Sequence, residues 1–167
     1  MDLIGFLTSL ATDPVSYSIV FFTYTVLAAV ILPIPVEIGL FNFHMHPALL
    51  IAILAFGKGA GSLIVFEIGT KAREKIKKIS VSNSFIKKIV EYSEWFVKNY
   101  GYYGLLLVLS TPLMIDSVSL YLFSLLNPEE EGIGMDRKWF FGTNIIAGAI
   151  RGAITLAVFY YIGYKLV

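Results

Sequence analysis

Cysteine is absent from the 167 residues of this chain, and charged side chains are few. Without cysteine the protein has no disulfide, no thiolate nucleophile and no sulfur ligand for a metal ion. Charged residues make up 15% of the sequence, hydrophobic residues make up 57%, and the mean hydropathy is +0.76. A water-soluble domain of this length needs a more polar composition. The composition therefore predicts an integral membrane protein.

Four apolar runs approach or exceed the length of a membrane-spanning helix, which is about 20 residues. They cover residues 15–32, 47–69, 101–126 and 139–167. Asp13 and Pro14 precede the first run as a helix cap and a first-turn proline. A signal peptide is the alternative for this run, but no basic segment leads it and no small-residue cleavage site precedes the prolines. We expect one membrane domain over residues 1–167.

Proline interrupts the apolar sequence at two places and predicts a helix break at each. Pro33 and Pro35 follow the first run, and Pro112 lies inside the third. Proline removes a backbone donor and disfavours helical dihedrals in the residue before it. Irregular backbone at membrane depth is tolerated only where protein or a watery cavity covers it. We therefore expect a re-entrant hairpin at residues 33–37, and a second hairpin or a kinked crossing at 110–116.

The segment 71–98 carries most of the basic charge, with eight lysines and arginines against three glutamates. By the positive-inside rule we expect this segment to be cytoplasmic. Apolar and aromatic residues recur in it at helical spacing, at Phe85, Ile89, Tyr92, Phe96 and Tyr100. This spacing indicates an amphipathic helix on the membrane surface or, equally well, a packed connector between two halves.

Two stretches of the chain resemble each other without gaps. Residues 58–66 align with residues 151–159, and a proline-broken segment with a carboxylate lies upstream of each. We interpret the chain as two units of hairpin plus crossing, over about 15–70 and 101–167, joined by a basic connector at 71–100. A second hairpin that returns to the same side makes the two units inverted repeats, an architecture that is typical of transporters.

Two basic and two acidic residues lie in these runs at positions that lipid alone does not tolerate. Lys58 and Arg151 fall near the midpoints of the second and last runs, where a charge costs about 2.5–3.5 kcal/mol. Glu37 and Asp116 follow the two proline breaks. We expect the four residues to share one midplane site, in which the cations bind an anionic headgroup and the carboxylates act as ion partners or proton carriers. Alternatively, Lys58–Glu37 and Arg151–Asp116 are salt bridges that only fasten the hairpins.

Two secondary candidates complete the set. Glu67 lies near the basic end of the second run and is expected at the membrane interface, and Asn144 on the last run is expected to bind across helices. The small residues from Gly57 to Ser62 predict close helix packing.

No nucleophile with a neighbouring base appears, which argues against a lipid-phosphate phosphatase. We predict no enzymatic activity, no cofactor, no metal and no nucleic-acid partner.

Three motifs resemble the DedA family, also called VTT or SNARE-associated membrane proteins. Residues 35–37, Pro-Val-Glu, are similar to the family's proline, glycine, glutamate signature. Residues 57–71 resemble its glycine-spaced crossing, which ends in an aromatic residue, a glycine and a base. Residues 135–140 resemble the start of its last conserved helix. The family commonly places arginines on both sides of the second-half proline, whereas Pro112 has none, and Arg151 would supply that charge from the neighbouring crossing.

The resemblance implies a flippase or scramblase that moves a polyprenyl phosphate carrier or a phospholipid across the bilayer, with proton coupling in some members. It implies membrane lipids as partners and a prokaryotic-type cell membrane as the location, and it is compatible with a homo-oligomer. Two alternatives stay open: a secondary transporter for a small ion or solute, and a membrane assembly protein that transports nothing. A lipid needs a lateral opening between crossings, whereas a solute needs an aqueous path from each face.

Overall fold

The computed structural model describes residues 12–31, 35–80, 95, 99–112, 116–125, 127 and 135–165. These residues are largely helical, and none of them forms a strand. The helices are α1 (Pro14–Val30), a short 3-10 helix (Val36–Leu40), α2 (Pro47–Ser80), α3 (residues 99–110), α4 (Asp116–Leu125) and α5 (Arg137–Lys165). The all-α fold class is thus confirmed, whereas inverted repeats and re-entrant hairpins remain predictions.

Helix α1 begins at the predicted cap and ends before the predicted break. The Val15 N–H donates to Asp13 Oδ1 at 3.2 Å. Pro14 is in the first turn, where backbone N–H groups have no partner within the helix, so the N–H that proline lacks is not needed. The helix ends at Val30, and the chain resumes at Pro35, which precedes the 3-10 helix. The first interruption at the prolines is therefore confirmed, although residues 32–34, Pro33 among them, lie outside the described residues.

The third apolar run is interrupted as well. Helix α3 ends at residue 110, Thr111 and Pro112 form a bend and a turn, and α4 begins at Asp116. Residues 101–126 are therefore not one continuous helix, in agreement with the break predicted at Pro112. Whether the segment is a hairpin or a kinked crossing remains a prediction, because residues 113–115 are outside the described part of the chain.

Helix α2 is longer than the sequence analysis expects. The apolar run ends at Gly69, but the helix continues into the basic segment as far as Ser80. Lysine, arginine and glutamate are good helix formers, and no proline or glycine follows Gly69 in this stretch, so a helix can continue into water. Helix α2 thus extends into the segment 71–100 that is predicted to be the connector, and the connector itself stays a prediction. Most of the amphipathic helix predicted within 85–100 lies outside the described residues.

Two helical segments are long and apolar enough to cross a membrane by length and composition, namely Pro47–Arg73 and Arg137–Ile162. Helix α1 is apolar but has 17 residues. Many large apolar side chains on these helices point outward, among them Ile19, Phe56 and Ile146.

Small residues bring the helices together, as the sequence predicts. A Cβ on Gly57 would collide with the Thr25 side chain of α1, and a Cβ on Gly61 would lie 2.6 Å from the Ala29 Cβ. Helix α2 therefore packs closely against α1 through its glycines, because only a residue without a Cβ fits there.

Helices α2 and α5 run antiparallel. Near the start of α2, a Cβ on Gly152 would lie 3.2 Å from Leu54 Cδ2, whereas farther along α2 the Phe66 and Phe140 ring centroids are 5.0 Å apart. Two apolar clusters follow from this arrangement, one around Leu54 and the other around Phe66. The part of each helix between the two clusters contains the charged residues described next.

Candidate functional site

Helix α1 positions the segment that carries Glu37. The Tyr17 hydroxyl donates to the Gly39 carbonyl at 2.9 Å, and the Tyr24 hydroxyl donates to the Pro35 carbonyl at 3.0 Å. The two tyrosines are seven residues apart and share one face of α1. They bind both ends of the 3-10 segment, and Glu37 between them is 4% exposed. Sequence reasoning missed these two hydroxyls, although their spacing within an otherwise apolar helix was a usable signal.

Lys58 and Arg151 extend toward each other from antiparallel helices. Side chains on an α-helix lean toward its N-terminus, so long side chains on α2 and α5 converge. Gly148 permits the approach, because a Cβ there would lie 2.9 Å from the Ala55 Cα and 3.3 Å from the Lys58 Cδ. Lys58 is 0% exposed and Arg151 is 1% exposed. Their charged ends therefore lie inside the bundle.

Arg151 binds both carboxylates. Its Nε donates to Glu37 Oε1 at 2.6 Å, and its Nη1 donates to Asp116 Oδ1 at 2.7 Å. Lys58 Nζ donates to the same Asp116 oxygen at 3.1 Å. We call these four residues, Glu37, Lys58, Asp116 and Arg151, the charge cluster. The structure thus brings all four predicted site residues together.

The contacts in the charge cluster join the two halves of the chain. Lys58 of the first half binds Asp116 of the second, and Arg151 of the second half binds Glu37 of the first. The alternative hypothesis of two separate salt bridges predicted the Arg151–Asp116 pair, which is present. It did not predict the two pairs between the halves. The reason is geometric, because the guanidinium group has several donors and can bind two carboxylates at once.

The break between α3 and α4 contributes two further features to the site. Lys58 Nζ also donates to the Leu109 carbonyl at 3.2 Å, and Leu109 is in the last turn of α3, whose carbonyls lack helical partners. Asp116 is in the first turn of α4, at the positive end of that helix. A cation thus meets a helix C-terminus, and a carboxylate lies at a helix N-terminus. Sequence reasoning did not assign the Leu109 carbonyl, although Pro112 signalled a helix end nearby.

The cluster is electrically balanced when all four groups are ionised. Two cations and two carboxylates sum to zero formal charge, which makes their common burial tolerable. Removing one member would leave a buried charge uncompensated, unless a proton or another ion restored the balance. The cluster can therefore exchange a carboxylate for another anion only if charge is conserved.

The secondary candidates lie outside the charge cluster. Glu67 Oε1 pairs with Arg137 at 2.6 Å, and both side chains are about half exposed. Asn144 is fully buried, but its Nδ2 donates to the Phe140 carbonyl of its own helix at 2.8 Å. This hydrogen bond lies within α5 and not between helices, which corrects the bond across helices that the sequence analysis expects. Its Oδ1 accepts no hydrogen bond from the described part of the chain.

No group of three histidine, aspartate or glutamate residues that could hold a metal ion occurs among the described residues. The chain has no match among protein-family models, curated proteins or solved structures. The resemblance to the DedA family thus stays a prediction, carried by the sequence motifs alone.

Proposed function

We propose that this chain is an integral membrane transporter of lipid phosphates, a flippase or scramblase for a polyprenyl phosphate carrier or a phospholipid. The observation that carries the proposal is the buried charge cluster, in which Arg151 binds Glu37 and Asp116. Lys58 and Arg151 each belong to a helix that is long and apolar enough to span a bilayer. Charged residues in such helices usually serve a transport pathway.

The distribution of side chains supports a membrane location. Lys58 and Arg151 are buried, while large apolar side chains such as Ile19, Phe56 and Leu107 are exposed. Water would favour the opposite distribution. Lys58 lies eleven residues after Pro47, where the first span begins, and Arg151 lies eleven residues before Ile162, where the second span ends. At about 1.5 Å per residue, each is roughly 16 Å from that end of its helix. Those depths are close to the centre of a hydrocarbon core of about 30 Å.

The cross-half contacts support the proposed pair of inverted units. Each half contributes a carboxylate shortly after a helix break and a cation in the middle of a long helix. Each carboxylate is bound by the cation of the other half, so the charge cluster forms the contact between the halves. Binding sites between broken helices at a repeat interface are a recurring feature of secondary transporters. In this proposal the breaks after α1 and α3 are the tips of two re-entrant hairpins.

A lipid phosphate would bind by replacing the carboxylates as the partner of the cations. Arginine is suited to this exchange, since its guanidinium group binds carboxylate and phosphate with similar geometry. Glu37 and Asp116 would then lose their cations and would take up protons, because an uncompensated carboxylate is costly to bury. Phosphate and protons therefore bind together, and release on the other side returns both. This exchange would couple transport to protons without any group beyond the four residues.

The test is exchange of labelled lipids in liposomes that contain the purified protein. Polyprenyl phosphate, phosphatidylglycerol and a labelled water-soluble phosphate ester are compared with and without a pH gradient. We expect exchange of a lipid phosphate that Arg151→Gln and Lys58→Met abolish and that the matched control Glu67→Gln, outside the cluster, retains. Movement of the soluble ester alone would indicate a solute transporter. Movement of none of the three would favour an assembly protein.

A further inference from the structure

A groove runs along α4 from the level of the charge cluster toward one end of the bundle. It is lined by nine residues from the end of α1, from α2 and from α4, which include Ile31, Gly69, Ala72, Ser117, Val118 and Leu122. We call it the α4 groove. Its volume is about 480 Å³, which is within the range of ligand sites. Ser117, at its inner end, directly follows Asp116 of the charge cluster.

The geometry of α4 determines how far the groove extends. Helix α4 has 10 residues, so at about 1.5 Å per residue it is about 15 Å long. It begins at Asp116, which binds Lys58, and near its end a Cβ on Gly69 would collide with the Ser124 side chain. Helices α2 and α4 therefore run side by side away from the cluster. The length of this contact is about half of a hydrocarbon core of roughly 30 Å, or one leaflet.

The chemistry of the lining selects a hydrocarbon chain. Only Ser117 and Tyr121 among the nine lining residues carry a polar side chain. A peptide would leave most of its backbone groups without partners there, and a water-soluble solute or ion has no apolar part with which to fill the groove. Val118 is 64% exposed and Leu122 is 53% exposed, so the groove opens sideways. A lipid can therefore enter the groove from the side, whereas a water-soluble ligand gains nothing from its apolar lining.

The charge at the outer end selects an anionic headgroup. Lys71, which is exposed, precedes Ala72, and Ala72 lines the groove where α2 leaves the apolar run. Positive charge at this level attracts a phosphate at the surface, while the chain of the same lipid points inward along α4. The inner end of that chain then reaches the level of Asp116. This is the orientation that a lipid already has in its own leaflet.

We infer that the α4 groove holds one hydrocarbon chain of an anionic phospholipid, drawn from the leaflet on the Lys71 side, and that it is the lateral entrance to the charge cluster. The inference rests on the proposed function and adds the route and the leaflet.

The binding test uses the absence of cysteine from the chain. A single cysteine replaces Leu122 in the groove or Val158, which is 50% exposed on α5 and does not line it, and each carries an environment-sensitive fluorophore. The protein is placed in liposomes with chain-nitroxide phosphatidylglycerol or phosphatidylcholine. We expect phosphatidylglycerol to quench the Leu122 site at least twofold more than the Val158 site, with a smaller difference for phosphatidylcholine. Equal quenching at both sites for both lipids would show ordinary annular lipid and would overturn the inference.

A transport test separates the groove from the function. Val118→Trp fills the groove from its exposed rim, where a larger side chain does not disturb the core, and Val158→Trp is the matched control. We expect Val118→Trp to remove the phosphatidylglycerol preference and to slow lipid exchange at least tenfold, with Val158→Trp like the wild type. Unchanged exchange in Val118→Trp would overturn the groove as an entrance. A wild-type protein with the lipid preference but without lipid exchange would overturn the proposed function and leave the groove as a lipid site.

Discussion

Arg151 donates to Glu37 across 114 residues of sequence, and this bond joins the last helix to the segment after the first helix break. The same guanidinium group also binds Asp116, which follows the second break. One side chain thus links both interrupted segments. Any movement of either segment relative to α5 must break or replace a bond of Arg151, which makes this residue the natural control point of the proposed transport cycle.

Replacing Arg151 should cost more stability than replacing Lys58. Arg151→Gln removes the cation that binds two carboxylates, and breaking a buried ion pair from one side costs about 3–5 kcal/mol. Lys58→Met removes one of two cations on Asp116, so its effect should be smaller. Thermal unfolding in detergent measures both. The loss in Arg151→Gln should shrink as the pH falls, because protons then neutralise the carboxylates, and a loss that does not change with pH would contradict this account.

A double substitution tests the Lys58–Asp116 pair. Lys58→Met alone leaves Asp116 with one cation, and Asp116→Asn alone leaves Lys58 with the Leu109 carbonyl as its partner. Together they remove a matched positive and negative charge, so the double variant should be more stable than the sum of the single losses predicts, by about 0.5–3 kcal/mol. Lipid exchange should nevertheless be absent. A double variant that transports like the wild type would show that this pair is only a fastener.

Glycine contacts predict opposite outcomes at two positions. Gly57→Val should prevent α1 from packing against α2, because any Cβ there collides with Thr25, and overpacking typically costs about 1–3 kcal/mol. At Gly142 nothing lies within 4 Å of an added Cβ, so Gly142→Ala should be neutral or stabilising by up to about 1 kcal/mol. Unfolding temperatures in detergent compare the two. Equal effects at both positions would contradict the close packing of α1.

Asn144 should be replaceable by leucine without loss of stability. Its Oδ1 is buried and accepts no bond from a described residue, and such an acceptor costs about 1–3 kcal/mol compared with an apolar group of similar shape. Asn144→Leu should therefore unfold at the same temperature as the wild type or at a higher one. Strong destabilisation would show that a donor does bind this oxygen in the membrane.

The cap of α1 should respond to acid. The Ser16 hydroxyl, and after it the Val15 N–H, lowers the pKa of Asp13 below its ordinary value of 3.8. A lowered pKa means that the carboxylate stabilises the fold above the ordinary value and that this contribution is lost as the pH falls through the lower, folded-state value. Hydrogen exchange in the first turn of α1 should therefore accelerate in acid, relative to an Asp13→Asn variant measured at the same pH. Parallel exchange in the two proteins at every pH would contradict the cap.

The positions of the helix breaks and the identity of the charged residues follow from the sequence. Pro35 and Pro112 lie at the two interruptions because proline removes a backbone donor wherever it occurs, so the effect is local. Lys58 and Arg151 stand out because no local feature compensates a charge in an apolar run. The glycines of α2 also predicted close helix packing. This effect is local as well, because it depends only on the missing Cβ.

The end of α2 could not be read from hydropathy, because the apolar run ends at Gly69 while helix propensity continues to Ser80. Nor could the acceptors of Lys58 be assigned, since one of them is the backbone carbonyl of Leu109, which carries no side-chain signal. Sequence reasoning also paired Asn144 across helices. In the structure its amide bonds the helix to which it belongs.

The sequence by itself determined that two cations and two carboxylates had to be compensated within the apolar part of this protein. Burying a charge among apolar residues is costly in any fold, so this requirement can be read from the residues alone. Only the tertiary structure decided which charges meet. Arg151 and Lys58 converge because their helices are antiparallel, and Glu37 reaches Arg151 because Tyr17 and Tyr24 hold its segment against α1. Such pairings depend on the relative position of elements far apart in the chain, which no local pattern encodes.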